Sequence, residues 1–242
     1  MQILAIGNSF SQDATTYLKK ISECGGGDIT VVNLFIGGCP LSRHYRNMLS
    51  GEKAYRMEFN GQNTEFFVSL DEAILSRDWD IITVQQASSE SIKYENYQPY
   101  IQCLADYIRE SCPKAKLMVH ETWAYEEGSE KLVERMKFEK RVDMYNALHN
   151  AYAKAAAAIN ADGVIPSGTL MQKLIEKGVT RLHRDGSHAS FDIGRYALAL
   201  LWFRTLTGKS VLENNFKCPV GEISDEEYAI IKKCVEEFEK IS

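Results

Sequence analysis

Short apolar runs alternate along this chain with stretches in which apolar residues recur every three or four positions, and that alternation predicts strands followed by helices. QILAIG (2–7) is apolar almost throughout, as a strand buried on both faces must be. Ala14, Tyr17, Leu18 and Ile21 then keep helical spacing until Gly25-Gly26-Gly27 ends the helix. ITVVNLFIGG (29–38) repeats the strand pattern and closes on a glycine pair. YRMEFNGQNTEFFVS (55–69) alternates around Asn60-Gly61, a hairpin signal, and LDEAILSR (70–77) reads as a short helix. DIITVQQ (80–86), Lys116–His120 and Asp162–Pro166 are three further strands. Between and after them, Tyr97–Ser111, a long stretch over Ser129–Ile159, an apolar stretch over Phe191–Leu206 and Asp225–Ile241 read as helices. The Tyr196, Leu200 and Phe203 stripe belongs to the core rather than to a cofactor site. The predicted fold is α/β, a three-layer sandwich around a mostly parallel five-stranded sheet, with the hairpin as a small excursion and residues 1–242 as one domain.

Composition narrows the partners. A formal net charge of -5, with acidic and basic residues mixed, argues against nucleic acid and against an anionic membrane surface, since both call for clustered Lys and Arg. No apolar segment approaches the roughly 20 residues of a membrane helix. Met1 leads straight into a strand, without the basic flank, apolar core and cleavage site of a signal peptide, so the cytoplasm is the expected location unless a leader has been removed. Cys24, Cys39, Cys103, Cys112, Cys218 and Cys234 are scattered without a C-x-x-C pair, and a chain this large needs no staples; buried free thiols are expected. No oligomeric state follows from the sequence.

Four segments at predicted strand ends or in late loops are polar or glycine-rich: GNSFS (7–11), IGGCPLS (36–42), VQQAS (84–88) and RDGSH (184–188). Ligands of open parallel sheets bind in the crevice at the carboxyl ends of the strands, so these four can converge on one site. Ser9 taken alone is a helix cap or part of a phosphate-binding turn. His183, Asp185 and His188, with His120 or Glu121, offer a metal set, but their spacing matches no recognised zinc motif. His44, with Arg43 and Tyr45, is a substrate-contact candidate or a solvated turn residue. His120, Trp123 and Tyr125 in HETWAY either line the crevice or fill core space beneath a loop. His149 reads as a surface or packing residue.

The order of GNSFS, IGGC, QQAS, TWAY, RDGSH and GRYALAL resembles the sequence blocks of the SGNH, or GDSL, hydrolase superfamily, and specifically an uncharacterised branch of it. The resemblance covers nearly the whole chain and implies a flavodoxin-like SGNH hydrolase fold. It matches Ser9 to the nucleophile, Asp185 and His188 to the final D-x-x-H, and Gly38 to the oxyanion glycine, with Gly37 as the alternative. Two positions depart from the pattern: Asn8 stands for the usual Asp, and Gln86 falls where an asparagine is expected, as in the carbohydrate acetylesterase branch. The chemistry fits these residue types. A serine hydroxyl needs a base, a histidine near its working pKa supplies one, and an Asp three residues away fixes the tautomer. The backbone N–H groups of Ser9 and Gly38 and the Gln86 amide would then stabilise the oxyanion. The resemblance implies a serine esterase without cofactor or metal, acting through an acyl-enzyme on a small ester, with an acetylated carbohydrate as the favoured substrate class. Lipases and thioesterases share the superfamily, and the 52–69 hairpin is the segment from which an apolar lid could be built. A non-catalytic module that binds a phosphate or sugar in the same crevice is the alternative.

Overall fold

The computed structural model describes residues 1–241. Its strands are β1 (Gln2–Gly7), β2 (Thr30–Phe35), β3 (Tyr55–Phe59), β4 (Gln62–Val68), β5 (Ile81–Val84), β6 (Lys116–Glu121) and β7 (Gly163–Pro166). They form one sheet in the order β4-β3-β2-β1-β5-β6-β7. β1 is parallel to both neighbours, with Ile6 opposite Leu34 on one side and Val84 on the other. β6 and β7 extend the parallel set. The sheet has seven strands, not five. The hairpin is no excursion: β3 pairs antiparallel with β2, Val32 opposite Phe59, and so satisfies the backbone edge that β2 would otherwise leave open. That placement also makes the hairpin a sheet edge, not a lid.

The helices are α1 (Ser9–Thr15), α2 (Leu18–Cys24), α3 (Leu41–Ser50), α4 (Leu70–Ile74), α5 (Tyr100–Ser111), α6 (Arg141–Ala158), α7 (Ser167–Glu176), α8 (Ile193–Thr207) and α9 (Asp225–Glu236). α1, α2, α7 and α9 pack on α8, while α3 packs on α4 and α5. A helix apolar on every side must be covered on every side, and Tyr196, Leu200 and Phe203 of α8 are fully buried. Two expected helices are interrupted. The first divides into α1 and α2 at Thr16–Tyr17. The long 129–159 stretch divides into a single wide turn at Lys131–Arg135 and then α6, with Lys137 at φ +62° between them. The second break matters for the site, because it frees the 131–135 turn to stand over the ends of the strands. All six cysteines are free; Cys39 and Cys234 are buried, the others partly or wholly exposed. Among the described residues no helix is long and apolar enough to cross a membrane.

Candidate active site

β1 runs out at Gly7 and α1 begins two residues later, so Ser9 stands at the first turn of a helix over the carboxyl end of the central strand. A Cβ on Gly7 would collide with the Ser11 hydroxyl, which is why the turn takes glycine. The cap itself is Asn8: its Oδ1 accepts from the Phe10 N–H at 3.0 Å, and its own N–H donates to Ser11 Oγ at 3.1 Å. Ser9 is therefore free of capping duty. Asn8 also ties neighbouring segments together, accepting from Gln85 Nε2 at 2.8 Å and donating from Nδ2 to the Cys39 carbonyl at 3.2 Å. An aspartate could make the first of these bonds but not the second, since it has no donor when ionised.

Ser9 Oγ lies 2.8 Å from His188 Nε2, and His188 Nδ1 lies 2.7 Å from Asp185 Oδ2. Asp185 Oδ1 accepts the backbone N–H groups of Ser187 and His188, so the carboxylate folds its own turn around itself. Lys131 reaches in from the wide turn, 3.1 Å from Asp185 Oδ1 and 2.8 Å from Ser187 Oγ. Burial alone would push the Asp185 carboxyl up. The hydrogen bonds from the His188 backbone and imidazole, from Lys131 and from the Ser187 N–H outweigh it and hold the group well below the usual carboxylate range. The loop is pinned from outside as well: Trp123 Nε1 donates to the Ser187 carbonyl, His183 Nε2 to the Ala124 carbonyl, and the Glu126 N–H to the Gly186 carbonyl. Phe10 packs between Trp123 and His188, with ring centroids 4.3 and 5.6 Å away.

Asp13 joins α1 to this loop. Fully buried, it accepts Arg184 Nη1, Arg195 Nε and the Ala189 N–H at 2.8 to 3.1 Å. Burial raises its pKa and the two guanidiniums pull it back. Ser9 and His188 are thus set on two elements clamped together by one ion cluster.

A pocket of about 190 Å³ opens over Ser9 and His188, with Gly38, Ser88, Tyr125, Lys131 and Arg135 among its walls. Of the two glycines, Gly38, at φ +60°, lines it and Gly37 does not. The N–H groups of Ser9 and Gly38 have no acceptor among the described residues. Gln86 does not reach the pocket. Its Oε1 accepts the Leu41 and Ala87 N–H groups and its Nε2 donates to the Asn96 carbonyl, so the longer side chain is spent satisfying buried backbone around the start of α3. On the pocket wall stands instead Ser88, whose hydroxyl is 2.8 Å from that of Tyr125.

Three substrate-contact candidates are also corrected. His44 is fully buried, 3.0 Å from the Tyr55 hydroxyl. His120 is buried between Gln85 Oε1 and Ser167 Oγ, at 2.7 and 2.9 Å, and so braces the residue that holds Asn8. Trp123 is fully buried beneath the loop that it anchors. Tyr125 is the member of HETWAY that reaches the pocket. His183 turns away to Ala124, and among the described residues no three His, Cys, Asp or Glu side chains come together as a metal set. Sequence reasoning missed Lys131 and Arg135, hidden inside an apparently continuous helix. Asp13 did leave a signal: an acid between Phe10 and Ala14 on the apolar face of a short helix.

A family profile described as "Domain of unknown function (DUF4886)" matches residues 2–235. No curated protein matches the chain. Among solved structures, a DUF4886 family protein from Bacteroides uniformis is 34% identical, covers 98% of this chain and 93% of its own, and superposes with a TM-score of 0.91. A putative SGNH hydrolase from Slackia heliotrinireducens is 23% identical over 85% of this chain and 98% of its own, TM-score 0.61. A variant of an acetyl-xylooligosaccharide esterase from Geobacillus is 15% identical over 91% of this chain and 97% of its own, TM-score 0.52. The last two share the fold, which by itself carries no activity.

Proposed function

The chain belongs to the DUF4886 family, with the fold of SGNH hydrolases, and we propose that it is a serine ester hydrolase working through an acyl-enzyme. The observation that carries the reading is the unbroken chain from Ser9 Oγ through His188 to Asp185, at 2.8 and 2.7 Å, on the floor of an open pocket. A capping or phosphate-binding serine has no need of an imidazole at that distance, still less of one oriented by a carboxylate.

In this reading His188 Nε2 takes the proton of Ser9 as Oγ attacks the ester carbon. The oxyanion settles against the free N–H groups of Ser9 and Gly38, with the Ser88 hydroxyl on the same wall as the side-chain donor in place of Gln86. His188 returns the proton to the departing alcohol, and water attacks the acyl-enzyme by the same route. Asp185 holds the imidazole in the tautomer with Nδ1 protonated and stabilises the imidazolium. The pocket is smaller than the usual ligand cavity of about 300–1,000 Å³, which favours a short acyl group such as acetyl. An acetylated carbohydrate is the substrate class we favour, with the esterase of the same fold as support.

The test is labelling with a fluorophosphonate probe together with hydrolysis of p-nitrophenyl acetate and a panel of acetylated sugars, for wild type and Ser9→Ala. Labelling and turnover that vanish together in Ser9→Ala are expected. A wild type that neither labels nor turns over any ester would make the pocket a binding site instead.

A further inference from the structure

Charge in the pocket is one-sided. In a chain of net charge -5, its walls carry two cations, Lys131 and Arg135, and no carboxylate. The two cations are not equivalent. Lys131 is engaged with Asp185 and Ser187, so its charge is absorbed in the pairing of Asp185 with His188. Arg135 forms no ion pair and no hydrogen bond among the described residues, although two acids, Glu134 and Glu130, are its close neighbours in sequence. Exposed itself, Arg135 lines the same pocket as Tyr125 and lies close enough for its charge to act on the Tyr125 hydroxyl. An arginine presents a planar fork that matches a carboxylate with two parallel hydrogen bonds. Here that fork is unpaired among the described residues, in a pocket lined by no acid.

From this arrangement we propose that Arg135 recognises a carboxylate on the substrate, so that the pocket selects esters carrying a negative charge close to the scissile bond. The inference rests on the esterase reading and narrows it: the preferred ester is acidic, not neutral. The carboxylate has two possible sources, the acyl side, as in a dicarboxylic half-ester, or the alcohol side, as in an O-acetylated sugar acid. Either way the positive wall acts twice. It draws the anion toward an otherwise acidic protein, and it fixes the carbonyl over Ser9 through a second point of attachment.

The experiment compares kcat/KM for p-nitrophenyl acetate with that for p-nitrophenyl hemisuccinate, and for acetylated glucose with acetylated glucuronic acid, in wild type, Arg135→Ala and Arg135→Lys. The charged member of at least one pair is expected to be preferred, and which pair shows it identifies the source. The charged-to-neutral ratio should fall about tenfold in Arg135→Ala, recover only in part in Arg135→Lys, and shrink with added salt in wild type. A ratio that Arg135→Ala leaves unchanged in both pairs overturns the proposal while leaving the esterase reading intact. A second arm is independent of turnover: calorimetric binding of succinate and glucuronate to Ser9→Ala, with and without Arg135→Ala. Carboxylate binding that Arg135→Ala weakens about tenfold supports recognition by Arg135, and no binding, or binding that Arg135→Ala leaves unchanged, overturns it; a failure to hydrolyse any ester overturns the esterase reading, and with it the claim of ester selection.

Discussion

Ser9 Oγ and His188 Nε2 stand 2.8 Å apart although 179 positions separate them in the chain. Because Asn8, not Ser9, caps α1, replacing the hydroxyl removes chemistry without removing a cap. Ser9→Ala is expected to unfold at the same denaturant midpoint as wild type and to lose activity by about a thousandfold or more. The esterase reading makes Asp185 and His188 one unit, so Asp185→Asn and His188→Ala should each cost on the order of a thousandfold and the double variant should be hardly worse than His188→Ala. Steady-state kinetics on the three variants check this; additive losses would mean that Asp185 does not act through His188.

The clamp at Asp13 calls for a different outcome. Arg184 and Arg195 keep only 21% and 15% of their side-chain surface exposed, and Asp13 none. Removing one partner of a buried ion cluster leaves charge without compensation, at a cost of about 3–5 kcal/mol. Asp13→Ala should lower stability by that amount in urea titrations. Its residual folded fraction should also turn over slowly, because the loop carrying His188 loses its tie to the helix carrying Ser9. A variant as stable as wild type would make the cluster dispensable.

The parallel strands are legible because each is a short apolar run bounded by glycine or polar residues, and the four polar or glycine-rich segments at strand ends and in the late loop each contribute residues to one pocket. Periodicity could not say where the hairpin goes, since alternation describes a strand and not its neighbour. Nor could it show the break near Lys137: the run at 131–135 is compatible with a helix, and its contacts with Asp185 and Ser187 lie far away in sequence. Gln86 shows the limit of reading a residue by position in a motif. Its place at the end of β5 was legible, but the direction of its side chain depends on which buried N–H groups lack partners, and that is known only once α3 is in place.

Gln86 and Asn8 are both held in hydrogen bonds that tie buried segments together. Gln86→Ala should lower stability by about 1–3 kcal/mol, the cost of leaving buried backbone groups without partners, rather than acting only on kcat. Asn8→Asp should also destabilise this chain, because it sets a carboxylate against the Cys39 carbonyl where Nδ2 now donates. Thermal unfolding of both variants beside Ser9→Ala checks the pair. An Asn8→Asp variant with unchanged midpoint would show that the bond to Cys39 contributes nothing.

Three buried histidines set the response to acid. Burial pushes His44 and His120 down to about 3 and His183 to about 4, against about 6.5 in the unfolded chain. Because the folded values are the lower ones, unfolding takes up protons in that interval: the stabilisation is complete above about pH 6.5 and is lost as pH falls toward the folded values. By pH 5 each neutral imidazole accounts for about 2 kcal/mol of lost stability. His149 has the opposite sign, since its hydrogen bond to Glu121 raises its pKa and its contribution is lost as pH rises through that value. Asp185, held low, matters only below the ordinary carboxylate range near about pH 4. Urea midpoints should therefore drop steeply between pH 6.5 and pH 5, with close to three protons bound on unfolding, and a His120→Gln variant should bind about one fewer. Equal midpoints at pH 7 and pH 5 would mean that these imidazoles are charged in the folded protein, which the contacts of His120 with Gln85 and Ser167 and the burial of His44 argue against.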